Sequence, residues 1–142
     1  MPSPEAVGLK IDVMRGHNHP KTGVNHYRIE GEDRAVVYAT DTEGFRCGDR
    51  RLIEFAESAD VLIHDAMFSE AQYTEMPNPT QGYGHATPVD AARVADKAGV
   101  ERLVLFHHSP TSSDDDLNGL ESDAREIFPE SVLARDGMTL EV

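Results

Sequence analysis

Apolar residues recur at two different periods along this chain of 142 residues, and the switch between them lays out its elements. Tyr27 to Gly31 and Arg34 to Thr40 read as two strands, joined through the polar stretch Gly31-Glu32-Asp33 as a hairpin. Spacing of three and four then takes over at Leu52, Ile53 and Ala56, which predicts a helix over Asp49 to Ser58. Val61 to His64 is a short apolar run, the pattern of a strand buried on both faces. A partly helical stretch from Phe68 to Met76 leads into a loop rich in Pro and Gly, Pro77 to Gly84.

The second half continues the alternation. Thr87 is placed to cap a helix, with Pro88 in its first turn and Asp90 completing a Thr-x-x-Asp pattern. That helix carries Ala91, Val94, Ala95 and Ala98 on one face and stops at Gly99. Arg102 to Phe106 reads as the next strand. Asp114, Asp115 and Asp116 put negative charge at the start of a last helix, whose buried face is Leu117, Leu120, Ala124, Ile127 and Phe128, with Pro129 as its stop. Val132 to Ala134 and Met138 to Val142 are expected to close the chain as two short strands. Residues 1–16 show no clear period and are expected to be irregular. The order ββαβαβαββ predicts an α/β fold in which residues 1–142 form one domain, a mixed sheet covered by helices on one face.

Charge changes the picture of partners. With 13 Lys and Arg against 26 Asp and Glu, the net charge is −13. Nucleic-acid binding rests chiefly on cations that neutralise phosphates, so charge alone argues against a nucleic-acid partner. No apolar run approaches the roughly 18 residues of a membrane span. No charged-then-apolar leader opens the chain, and its single cysteine, Cys47, cannot form an internal disulfide. A cytoplasmic location is the expectation. Cys47 has no His or second Cys at ligand spacing and reads as a small core residue.

Several polar side chains fall where α/β proteins keep their chemistry, just past strands or just before helices. Asp41, in Thr40-Asp41-Thr42, is either a turn cap or a carboxylate able to bridge two cations. His107 and His108 end the Arg102 to Phe106 strand; period-two alternation sends one into a site and the other away. His85 lies two residues before the Thr87 cap. It is either a turn histidine or a proton donor to a leaving group, since imidazole titrates near neutrality. Asp65 follows the buried His64 run and either caps the next helix or orients His85. His17 and His19 form a His-x-His pair, a chelate geometry on a strand and an inert one in a mobile segment. The run Asp114 to Asp116 reads as a solvated helix start.

Taken in order, five of these segments resemble the C-terminal half of metallo-β-lactamase-fold hydrolases, in particular ribonuclease Z and phosphodiesterases acting on cyclic ribose phosphates. His19-Pro20 followed by Tyr27-Arg28-Ile29-Glu30 is similar to the family's His-Pro and Gly-Tyr-Arg-Ile segment, with a spacing one residue longer and His17 as a rival to His19. Tyr38-Ala39-Thr40-Asp41-Thr42 resembles the strand that ends in the metal-bridging Asp. Leu62-Ile63-His64-Asp65-Ala66 resembles a Leu-Ile-His-Glu-Ala segment with Asp for Glu. Gly84-His85-Ala86-Thr87 resembles the Gly-His-Ser-Thr turn whose His assists proton transfer. Leu105-Phe106-His107-His108-Ser109-Pro110 resembles the last metal-ligand strand.

The resemblance implies half of an αββα sandwich. It also implies hydrolysis of phosphodiesters or other esters by a two-metal-activated hydroxide, with zinc or manganese as the cofactor. His19, Asp41 and His107 take the ligand positions, His85 the proton donor's and Asp65 that of its tuning partner. The family's His-x-His-x-Asp-His signature has no counterpart here, because His17-Asn18-His19 runs on into Pro20-Lys21-Thr22. The implied site is therefore incomplete within this chain. Half a sandwich also exposes an apolar sheet face, so pairing with a second copy or with a complementary half is expected. The alternative to a hydrolase is a non-catalytic half-domain that acts only by association.

Overall fold

The computed structural model describes residues 8–20 and 22–142. Six strands form one sheet in sequential order. They are β1 (Lys10–Gly16), β2 (Val24–Glu30), β3 (Ala35–Ala39), β4 (Val61–Asp65), β5 (Arg102–Phe106) and β6 (Ser131–Leu133). The first three run antiparallel to their neighbours, and β3 to β6 run parallel. The helices are α1 (Arg50–Ala56), α2 (Glu70–Thr74), α3 (Pro88–Ala98) and α4 (Asp114–Arg125).

One face of the sheet builds the core. Val37 and Ala39 of β3, Leu62 of β4, Leu103 and Leu105 of β5 and Leu133 of β6 point to the same side and are buried. Against them pack Leu52 and Ala56 of α1, Ala91, Ala92, Ala95 and Ala98 of α3, and Ala124 of α4. The alanine stripe of α3 lets that helix lie close on the sheet. Its start is the expected one: Thr87 Oγ1 accepts from the Asp90 N–H, and Gly99 ends it at φ 64°.

The other face carries a continuous apolar row across all six strands. Val13, Tyr27, Tyr38, Ile63, Val104 and Val132 are successive cross-strand partners. Ile11, Ile29, Val36 and Val61 form a second row beside it. Ile11, Val13, Tyr27 and Phe106 remain exposed, Val13 at 56%. The expected mixed sheet with helices on one face is what the chain forms.

Three expectations are corrected. Lys10–Gly16 is a strand rather than irregular; its apolar residues Ile11 and Val13 face outward, so only two of them mark the period and Met14 then breaks it. The remainder of that expectation, residues 1–7, lies outside the described residues. Met138 to Val142 is not a strand: Met138 and Val142 are exposed, and the Met138 N–H closes a turn on the Arg135 carbonyl at 3.0 Å. Cys47 is exposed in the loop before α1 rather than in the core, where its carbonyl accepts from Lys97 Nζ at 2.5 Å.

Candidate metal centre

Loops leaving the carboxyl ends of β3, β4 and β5 meet above the sheet. Parallel strands place these three ends side by side, which is why residues far apart in sequence arrive together. Asp41 follows β3, Asp65 ends β4 and His107 follows β5. His107 Nε2 lies 3.6 Å from Asp41 Oδ1 and its Nδ1 lies 3.5 Å from Asp65 Oδ2. Both Asp41 and His107 hold left-handed backbone, at φ 54° and 60°, which is uncommon for any residue but glycine.

His85 enters from the turn before α3. Its Nδ1–H donates to Asp65 Oδ2 at 2.9 Å, and its ring stacks on His107 with centroids 5.0 Å apart. Asp65 is fully buried. Its other oxygen accepts from the Met67 and Ala86 N–H groups, each at 3.2 Å. The carboxylate thus caps the turn after β4 and binds His85 at once. The hydrogen bond that Asp65 accepts, together with its negative charge, raises the His85 pKa above the ordinary imidazole value.

His19 approaches from the β1–β2 connection. Its Nδ1–H donates to the Gly84 carbonyl at 3.1 Å, which leaves Nε2 free, and its ring meets His85 edge-on at 5.4 Å. Asn18 anchors this segment: its Nδ2 donates to Thr42 Oγ1 at 2.6 Å and Asp49 Oδ2 at 3.3 Å. His17, one residue earlier, stays exposed and outside the cluster. His108 also lies outside it; burial lowers its pKa.

Donor atoms of His19, Asp41 and His85 all lie within 4.8 Å of one another, and so do those of Asp65, His85 and His107. Imidazole nitrogens and carboxylate oxygens are the donor set of zinc and manganese sites, and these groups fit divalent cations. His85 belongs to both groups. The structure brings together all five residues singled out by sequence. It adds Glu43, whose carboxylate accepts from the Gly82 and Gly84 N–H groups and which no local pattern marked, because its partners lie 39 and 41 positions away.

Comparison with known proteins bears on most of the chain. Residues 4–108 match the sequence profile of the Beta-lactamase superfamily domain. Ribonuclease Z of Picrophilus torridus is 39% identical over 109 residues, which cover 77% of this chain and 32% of the relative. Ribonuclease Z of Thermoplasma acidophilum is 39% identical over 124 residues, 83% of this chain and 37% of the relative. Among solved structures, the metallo-beta-lactamase fold protein YhfI of Bacillus subtilis superposes with a TM-score of 0.73 at 25% identity, covering 94% of this chain and 50% of that one. Human tRNase Z, short form, gives 0.69 at 22% identity over 94% of this chain and 43% of that one. The chain thus spans about a third of the length of these two Ribonuclease Z relatives and half or less of the two solved folds. A half-domain that acts only by association is not favoured by such relatives. The argument from net charge against a nucleic-acid partner is not supported by them either.

Proposed function

The chain belongs to the Beta-lactamase superfamily domain family, and from that premise we propose that it supplies one half of a two-metal hydrolase site that cleaves phosphodiesters in RNA. The observation that carries this reading is the convergence of Asp41, Asp65, His85 and His107 at the ends of parallel strands, with His19 closing the side. Asp41, with the imidazoles of His19 and His107 close to it, would hold the cations together with those two histidines. When bound, divalent cations supply an activated water and neutralise charge on the phosphoryl oxygens. They also bring the positive potential that a chain of net charge −13 lacks.

His85 carries the proton. Asp65 holds its Nδ1–H, which fixes the tautomer and turns Nε2 outward toward the cleft. The same hydrogen bond favours the protonated ring, and a protonated His85 would present its Nε2–H to a departing oxygen. The stacked His107 ring and the edge-on His19 ring limit its rotation.

With Asp65 committed to His85, Asp41, His19 and His107 are too few ligands for two cations that each want about four. The remaining ligands come from outside these residues. The open apolar face of the sheet is the surface through which a complementary half, or a second copy, docks. Zinc or manganese as the metal and a cytoplasmic location belong to the same proposal. Among the described residues no helix is long and apolar enough to cross a membrane.

The test mixes this chain with one that carries a His-x-His-x-Asp-His segment and measures hydrolysis of bis(p-nitrophenyl) phosphate and of a short RNA, with zinc or manganese. Hydrolysis is expected from the mixture, little from either chain alone, and none once Asp41→Ala is introduced. A mixture that forms a stable complex, binds metal and still cleaves neither substrate overturns the reading.

A further inference from the structure

Glu43 stands two residues past Asp41, in the loop that leaves β3. Its Oε1 accepts from the Gly82 N–H at 2.9 Å and from the Tyr73 hydroxyl, and its Oε2 accepts from the Gly84 N–H at 2.7 Å. Both glycines hold left-handed backbone, at φ 88° and 93°, which turns their two N–H groups toward one carboxylate. A second tie joins the same loops, the Gly44 N–H donating to the His85 carbonyl at 3.1 Å. Burial, and next the Glu43 carboxylate, raise the pKa of Tyr73, so its hydroxyl stays a donor.

Gly84 passes the constraint on. A Cβ there would lie 2.3 Å from His19 Nδ1 and 2.4 Å from Pro20 Cδ, so the backbone of Gly84 is pressed directly against the His19 ring. Its carbonyl accepts from His19 Nδ1–H. One side chain therefore touches the loop of Asp41, the turn of His85 and, through a single carbonyl, the tautomer of His19.

We propose that Glu43 is a positioning residue of the candidate site. Its carboxylate clamps the Gly82–Gly84 loop onto the Asp41 loop and thereby holds His19 with Nδ1 protonated and Nε2 free as the ligand atom. The inference rests on the reading of His19, Asp41 and His85 as a cation-binding group. Removing Glu43 leaves the donor atoms in the chain and disperses them. Partners of metal ligands that act in this way change affinity by roughly 10–100-fold.

Two readouts test it on the full chain. The first is the His19 tautomer in the metal-free protein, read from long-range ¹H–¹⁵N spectra of the imidazoles; the second is zinc affinity by titration calorimetry. Glu43→Gln keeps the shape but offers an NH₂ where one backbone N–H needs an acceptor. Glu43→Asp keeps the charge but is one methylene short of reaching both amides. Each folded variant is expected to lose the Nδ1–H form of His19 as the dominant species and to bind zinc roughly 10-fold more weakly or worse. A general loosening of the fold would lower the melting temperature without moving the His19 tautomer. Such a result, or an unchanged tautomer with zinc affinity within about twofold in whichever variant folds, overturns the proposal. If the unmodified chain binds no zinc while Glu43→Gln still shifts the tautomer, the positioning role stands and the cation reading alone falls.

Discussion

Asp41 and His107 come within 3.6 Å of each other from β3 and β5, two strands that are not neighbours, across the end of β4 between them. Each reaches the other by turning its backbone into the left-handed region immediately after its strand. For a residue with a Cβ that conformation costs about 1–2 kcal/mol. It persists because the surrounding loops determine it, the usual situation at a functional site.

The strain gives a first prediction. Asp41→Gly and His107→Gly relieve it, and each is expected to change the stability of the metal-free chain little or to raise it by about 0.5–1 kcal/mol. The same substitutions remove a donor atom, so zinc affinity is expected to fall at least about 10-fold. Denaturant unfolding and calorimetry on the same samples check both halves. A glycine variant that loses stability and keeps full zinc affinity contradicts the assignment of these two residues.

Asp65 offers a sharper substitution. In Asp65→Asn the side-chain oxygen can still accept from the Met67 and Ala86 N–H groups, while the amide nitrogen replaces the oxygen that binds His85. The turn is therefore kept and the histidine released. His85 is raised in the folded chain, chiefly by that hydrogen bond, so the pair stabilises the fold below the ordinary imidazole pKa and loses its effect as pH rises through the folded value. In Asp65→Asn the His85 titration moves to lower pH, as followed by NMR of its ring protons, and this pH-dependent stability disappears. Hydrolysis by the assembled site is expected to drop roughly 10–100-fold. An unshifted His85 titration rules out Asp65 as its tuning partner.

Much of this was legible in the chain because the deciding signals are local. The hairpin at Gly31 to Asp33, the Thr87 cap, the Gly99 stop and the alanine stripe of α3 each depend on residues within a few positions. Asp41 and His107 follow buried strands directly, so their arrival at one end of the sheet was legible locally; His19, Asp65 and His85 were grouped with them only by the resemblance of their segments to a known family. What stayed hidden depends on distant partners. Lys10–Gly16 becomes a strand by pairing with Val24–Glu30, not through its own period. Met138 to Val142 has a strand's alternation but pairs with no strand among the described residues. Cys47 has the composition of a core residue and lies in a loop whose path is set by Asp49 capping α1. Glu43 meets Gly82 and Gly84 only after the sheet has formed.

The uncovered sheet face predicts association. The row Val13, Tyr27, Tyr38, Ile63, Val104 and Val132 crosses every strand, and Ile11, Val13, Tyr27 and Phe106 are left open to water. Burying such side chains is worth roughly 25 cal/mol per Å² of apolar surface. At micromolar concentration the chain is expected to run as more than one copy by light scattering. Val13→Lys, at an exposed position in the middle of an edge strand, is expected to shift it toward a single copy without loss of secondary structure. A monomer at all concentrations, with no gain from Val13→Lys, removes this face as a docking surface.

The last prediction concerns acid. His26, on the core side of β2, is fully buried, and neither ring nitrogen has a hydrogen-bond partner among the described residues. Burial is the main reason its pKa falls from 6.5 to about 4, with nearby His64 adding to the effect. Between those two values the unfolded chain binds a proton that the folded chain refuses. Stability therefore rises with pH across that window, and below about pH 4 the full penalty applies. For one histidine this amounts to roughly 3 kcal/mol, an upper figure because side chains relax around a buried charge. His64 and His108 are also lowered by burial and tilt the curve the same way, whereas His85 opposes them. The difference between the parent chain and His26→Leu isolates the one residue. Urea unfolding at pH 4.5 and pH 7.5 is expected to show a gap between the two proteins that favours His26→Leu at the lower pH and shrinks at the higher. A gap that does not change with pH means that His26 takes up its proton in the folded chain as readily as in the unfolded one.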